Sequence, residues 1–206
     1  NMVSQFKSHD YDWLNSVSSE IFDQKEYQYK EVSVQPNDVV VDLGGNIGLF
    51  TTYAISKGAS KVYTVEPFPI YVDYLHQNLE PFKDKVEIIP MAISDTTGHT
   101  TLKINFQGNT ILNDVYREKN WENNDESVEV EKIDLITLSE RNDIDIINYL
   151  KVDIEGSEFD ILKDCEESLT NVENIFVEYH CFFENPQMIG EILIILKKAG
   201  FNVYIK

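Results

Sequence analysis

Basic residues are scarce in this 206-residue chain: 17 lysines and arginines stand against 36 aspartates and glutamates, giving a formal net charge of −19. Nucleic acid is repelled by such a field, and no basic stripe with interleaved aromatics opposes it. The field also disfavours anionic membranes and strongly anionic substrates, so a neutral small molecule, polyol or glycan fits better as a partner. Cysteine is nearly missing. Cys165 and Cys181 alone make no disulfide framework, and such usage points to a reducing compartment, the cytoplasm. No apolar run approaches the length of a membrane span, and the N-terminus lacks the charged-then-apolar pattern of a leader, so no membrane insertion is expected. Internal repeats and low-complexity tracts are absent too. The opening Asn1-Met2 fits a tagged chain or one cut from something longer.

What remains is enough for one globular domain. With 42% hydrophobic and 12% aromatic residues, the chain buries a core without structural metal. We expect a single domain over 1–206, with an N-terminal segment to about residue 35. Oligomeric state is not encoded in any pattern here.

Val39-Val40-Val41-Asp42-Leu43-Gly44-Gly45-Asn46-Ile47-Gly48 is the most informative stretch. A β-branched run without polar alternation suits a strand buried on both faces, as in a parallel sheet covered by helices. The glycines then turn the chain sharply into a helix start, where open α/β sheets bind ligands. Asn46 stands where the dinucleotide fingerprint G-x-G-x-x-G needs glycine. The pattern D-x-G-x-N-x-G resembles instead the first motif of class I S-adenosylmethionine-dependent methyltransferases. Asp42 is then a candidate for the ammonium group of that ligand, with the Gly44 carbonyl and Asn46 adding polar contacts. A βα turn without a ligand is the competing reading. Glu66, ending a second apolar run, lies 22 residues after Gly44, about where an acid on the second strand meets ribose hydroxyls.

The alternation of patterns predicts an α/β, Rossmann-like, doubly wound and mostly parallel sheet. Strand one is expected over 38–43, its helix over 47–57, strand two over 61–66, and a helix over 68–80 with Leu75 and Leu79 on one face. A third strand is expected over 86–92. The pattern then breaks into an antiparallel excursion: a turn at 96–99, an alternating strand over 100–106, a turn at 107–110 and a second alternating strand over 128–133. The acidic stretch 113–127 between them has no period. Its Trp121 is a candidate for stacking on an acceptor or for anchoring the loop.

A second site is Leu150-Lys151-Val152-Asp153-Ile154-Glu155-Gly156-Ser157-Glu158. On a fourth parallel strand, 151, 153 and 155 share one face, and burying such a Lys-Asp-Glu series is costly unless the charges compensate or serve a ligand. Lys151 is expected to balance the acids; a structural charge network is the alternative. A fifth strand over 175–180 should lie beside it and carry Glu178 and His180. A neutral His180 can take a hydroxyl proton near neutral pH. Asp153 is the first candidate to orient a reactant and Glu155 a further acceptor-site carboxylate. Divalent ions take oxygen ligands such as Asp153, Glu155 or Glu178 offer, yet no pattern fixes such a site.

Together with Val65-Glu66-Pro67, Ala92-Ile93-Ser94-Asp95 and Val177-Glu178-Tyr179-His180, these motifs resemble, in order, the FkbM-type methyltransferases over roughly 30–182. The resemblance implies a Rossmann-like fold, S-adenosylmethionine as cofactor and an oxygen acceptor in a glycan or natural product. Asp42, Gly44, Asn46, Gly48, Glu66 and Ala92 are thus the candidate cofactor residues, and Asp153, Glu155 and His180 the candidate catalytic ones. The expected activity is O-methylation of a sugar or polyol hydroxyl. The alternatives are a nucleotide-dependent oxidoreductase and a non-catalytic S-adenosylmethionine-binding or assembly domain.

Overall fold

The computed structural model describes residues 5–104, 126–181 and 186–206. The expected turn at 107–110, Trp121 and most of the acidic stretch lie outside the described residues. The chain runs α1 (Tyr11–Phe22), β1 (Val39–Leu43), α2 (Leu49–Ser56), β2 (Lys61–Val65), α3 (Pro69–Leu79), β3 (Val86–Ile89), β4 (Ala92–Ile93), β5 (Gly98–Ile104) and β6 (Glu126–Ile133). It continues through α4 (Leu135–Arg141), β7 (Ile147–Val152), α5 (Glu158–Asp164), β8 (Val172–Val177) and α6 (Ile189–Lys198).

Two compact units emerge from this order, the first holding residues 1–91, 146–152 and 172–176, the second the remainder. In the first, five strands lie in the order β3-β2-β1-β7-β8, and the β1–β2, β2–β3 and β1–β7 pairs are parallel. This is the expected Rossmann-like α/β arrangement. Val40, Val41, Asp42 and Leu43 are all buried, which requires cover on both faces and explains why the run shows no polar alternation. Leu75 and Leu79 sit on the buried face of α3 as expected. The aromatic rings of Tyr27, Phe50, Tyr149 and Phe176 pack together, with Tyr27 4.7 Å from Phe50 and 4.8 Å from Phe176, and the Tyr149 hydroxyl donates to the Tyr27 carbonyl at 2.9 Å.

The second unit contains a three-stranded sheet, β4-β6-β5, in which β5 and β6 are antiparallel and β4 joins β6 in parallel. The excursion expected from the alternating patterns is this sheet. Within this unit α5 packs against α6. Among the described residues, no helix is long and apolar enough to cross a membrane.

Three expectations are corrected. The third strand does not run on to residue 92: it stops at Ile89, and Ala92 opens β4 in the other sheet. Pro90 has no N–H to give to a ladder, and Met91 N–H folds back onto the Ile89 carbonyl at 2.8 Å. The fourth strand ends at Val152, so 151, 153 and 155 do not share a strand face; Glu155 adopts a φ of 55° and Gly156 one of 106°, a left-handed turn that strand geometry excludes. The fifth strand covers Val172–Val177, which leaves Glu178 and His180 just beyond its end.

Candidate active site

The turn after β1 is held from below by the second strand: the Gly44 and Gly45 N–H groups both donate to the Val65 carbonyl at 3.0 Å. A Cβ on Gly45 would run into the buried Thr64 hydroxyl, which makes glycine a packing requirement there. Gly48, at a φ of 95°, caps α2, and a Cβ on it would press on Leu75 and Leu79 of α3. Gly45→Ala is expected to cost about 1–3 kcal/mol through overpacking. A urea titration in which Gly45→Ala/Thr64→Ala recovers stability over the single variant would support this cause; an unchanged midpoint in Gly45→Ala would rule it out.

A polar row crosses the sheet at this level. Asp42 lies in register with Thr64 on one side and Lys151 on the other, at the point where strand order reverses between β1 and β7. Asp42 is fully buried and Lys151 2% exposed. The Lys151 ammonium stands 3.2 Å from Asp42 Oδ1, donates to the Gly44 carbonyl at 3.0 Å and lies over the rings of Phe50 and Tyr27 at 5.7 and 5.9 Å. Thr51 donates to Asp42 Oδ2 at 2.7 Å. Lys151 thus balances Asp42 and ties that charge to the glycine turn.

Glu66 and Asn46 form the part of this turn suited to a ribose. Glu66, 5% exposed, accepts from Asn46 N–H on Oε2 and from Phe68 N–H on Oε1, each at 2.9 Å. Each oxygen keeps a further acceptor position, so the carboxylate can take both hydroxyls of a cis-diol. Burial pushes Glu66 up to about 7, against the lowering effect of those two N–H groups and of Lys151. Asn46, at a φ of 47°, buries its side-chain carbonyl oxygen with no hydrogen-bond partner among the described residues. An orphaned acceptor beside a diol-matched carboxylate fits an adenosyl ligand. Asn78 supports the turn from α3, donating to the Ile47 carbonyl at 2.9 Å and the Lys7 carbonyl at 3.1 Å.

In the second unit, the turn after β7 and the segment after β8 bring Asp153, Glu155 and His180 together, with one ligand atom of each within 4.8 Å of the others. Glu158, the first residue of α5 and fully buried, organises them: its Oε1 accepts from Gly156 N–H at 2.9 Å and Ile154 N–H at 3.3 Å and meets His180 Nδ1 at 2.9 Å. His180 Nε2 faces Glu178 at 3.7 Å and Glu155 at 3.8 Å. The bond to Glu158 raises His180 to about 9, burial opposing and the charges of Glu155 and Asp153 adding. That bond favours the protonated ring, so service as a base asks that His180 first give up its own proton.

Of the residues singled out in the sequence, the structure gathers Asp42, Gly44, Asn46, Gly48 and Glu66 at one turn and Asp153, Glu155 and His180 in one cluster. Ala92 is buried at the start of β4, in the second unit. Sequence reasoning assigned no role to Glu158, Asn78 or Thr51. Glu158 carried a signal, an acid at a helix start inside a charged motif, whereas Asn78 had none.

Residues 42–203 match the family described as Methyltransferase FkbM domain. The 31-O-demethyl-FK506 methyltransferase FkbM of Streptomyces tacrolimicus is 25% identical, over 89% of this chain and 80% of its own. Hexuronic acid methyltransferase AglP of Haloferax volcanii is 28% identical, over 71% of this chain and 57% of its own. Among solved structures, methyltransferase FkbM of Methylobacillus flagellatus aligns with a TM-score of 0.50 at 16% identity, covering 78% of this chain. The chain corresponds to 36% of that larger one, and the likeness is one of fold.

Proposed function

Because the chain belongs to the FkbM methyltransferase family, we propose that it transfers a methyl group to a hydroxyl oxygen of a sugar, glycan or related polyol. The chain is a methyltransferase domain with S-adenosylmethionine as methyl donor. That donor supplies an electrophilic methyl group on a sulfonium. The single observation that carries the reading is the buried Glu66 carboxylate beside an Asn46 carbonyl oxygen that has no hydrogen-bond partner among the described residues, at the end of β1. Glu66 holds the ribose hydroxyls, Asn46 and the Gly44 carbonyl take polar hydrogens of the amino-acid end, and Asp42 with Lys151 fixes the turn. Gly48 admits the close approach of α2 to α3. Ala92, a cofactor position by the family resemblance, stays a proposal. Asp153 and Glu155 orient the acceptor hydroxyl, and His180 takes its proton once it has given up its own. Residues 1–206 work as one methyltransferase domain, since the matched residues run through both units.

An oxygen acceptor is supported by the FkbM relative, named for an O-methylation, and a sugar by AglP, named for a hexuronic acid. The charge of −19 favours a neutral acceptor within that class. Incubation with methyl-labelled S-adenosylmethionine and a panel of neutral sugars, uronic acids and polyols tests this by mass spectrometry. Label on a hydroxyl oxygen is the expected result; label on nitrogen or carbon alone would overturn it.

Glu66→Ala is expected to weaken S-adenosylhomocysteine binding by about 1–3 kcal/mol in calorimetry, for loss of two hydrogen bonds to the ribose. Unchanged affinity would remove the ribose assignment. Glu66 also predicts a pH dependence. Ribose hydroxyls donate best to the ionised carboxylate, so with Glu66 at about 7 affinity should rise from pH 6 to 8, a rise that Glu66→Gln lacks. The stability of the ligand-free protein should move the other way: the folded carboxyl holds its proton where the unfolded chain has lost it. Its contribution is full below the unfolded value of 4.5 and is lost as pH rises through about 7. Equal pH profiles of urea stability for the parent and Glu66→Gln would contradict the shift.

A further inference from the structure

We propose that Asp153, Glu155 and His180 form a divalent-cation site, with Glu158 as the carboxylate that presents the imidazole. Three observations converge on it. One oxygen from each acid and one ring nitrogen lie within 4.8 Å of one another, somewhat wider than the roughly 3–4 Å separations that ligands take around an ion with bonds of about 2.1 Å, a gap that small side-chain rotations of the part-exposed acids would close. His180 Nδ1 is held at 2.9 Å by Glu158, a fully buried side chain, so Nε2 is the nitrogen turned to the acids. Metal-bound histidines are oriented this way by a carboxylate on the other ring nitrogen. Finally, the same Glu158 oxygen accepts from Ile154 and Gly156 N–H, so one buried carboxylate fixes both the imidazole and the turn that carries Asp153 and Glu155. The other oxygen, Oε2, is buried with no hydrogen-bond partner among the described residues.

His180 Nε2 faces Glu178 at 3.7 Å and Glu155 at 3.8 Å, so this ring nitrogen is turned to carboxylate oxygens. An imidazole with carboxylates is a donor set for Mn2+ or another first-row divalent ion more than for Ca2+. Ion binding does not depend on the proposed methyl transfer; its use there does, since an ion on Nε2 would replace direct proton transfer to His180 by holding the acceptor hydroxyl oxygen and easing loss of its proton to solvent.

The test uses the full chain and Mn2+ alone. After treatment with a chelator and its removal, electron paramagnetic resonance of free Mn2+ should report one equivalent bound. Glu155→Gln and His180→Ala should each weaken that binding about tenfold or more. S-adenosylhomocysteine affinity, measured on the same samples, should stay within about twofold and reports that the variants are folded. No binding up to about 1 mM Mn2+, or equal binding in parent and variants, which a merely acidic surface would give, overturns the site. Mn2+ binding without methylation of any hydroxyl acceptor overturns the functional reading and leaves the site standing.

Discussion

Replacing Lys151 by methionine is expected to destabilise the protein by roughly 3–5 kcal/mol, because it leaves the Asp42 carboxylate buried without its counter-charge. The two groups are 0% and 2% exposed and 3.2 Å apart, so water cannot take over the role of the ammonium. Donor binding should fall as well, since the Gly44 carbonyl loses the donor at 3.0 Å that fixes the turn. Asp42→Asn/Lys151→Met should recover most of the lost stability, as removing both charges costs far less than removing one. Urea denaturation of the single and double variants measures this. A double variant as unstable as the single one would show that the ammonium's contacts with the Gly44 carbonyl and the Tyr27 and Phe50 rings, not charge balance with Asp42, set the cost.

The second large effect is on turnover. Asp153→Asn and His180→Asn should each lower the rate of hydroxyl methylation about 10²–10⁴-fold, the range for loss of acid–base assistance. S-adenosylhomocysteine binding should persist in calorimetry, because Glu66 and Asn46 remain as they are. Near-parent turnover in both variants would remove these residues from the chemistry. A fall confined to acceptor KM would leave them as binding groups only.

Legibility in the sequence followed the range of the interaction. The run Val39-Val40-Val41 announces a strand covered on both faces because burial erases polar alternation, and the spacing of Gly44 and Glu66 follows from one βα unit of fixed length. The break at Pro90 was readable in principle, since proline cannot donate to a ladder. The partner of Lys151 was not. Cross-strand register sets Lys151 opposite Asp42, more than a hundred positions away in sequence, and alternation along β7 alone pointed to Asp153 and Glu155 instead. The strand's end at Val152 turns on the left-handed backbone of Glu155 and Gly156, of which only the glycine is a visible cue. For His180 the sequence showed acids nearby, but the one that holds its ring begins a helix, and a helix start can point its side chain back into the preceding turn.

The row Thr64, Asp42, Lys151 also constrains how the chain can assemble. Parallel strands rich in valine, isoleucine and leucine are nearly interchangeable when slid past one another, since any apolar residue can face any other. A slip of β7 by one residue against β1 would set Leu150 or Val152 opposite Asp42 and turn Lys151 to the other, equally apolar face. Both charges would then be stranded in hydrocarbon, a penalty of several kcal/mol that no misaligned pairing can relieve. The ion pair thus acts as an alignment key between halves of the sheet that are synthesised far apart, admitting one register of the β1–β7 contact and leaving the slipped ones too costly to populate.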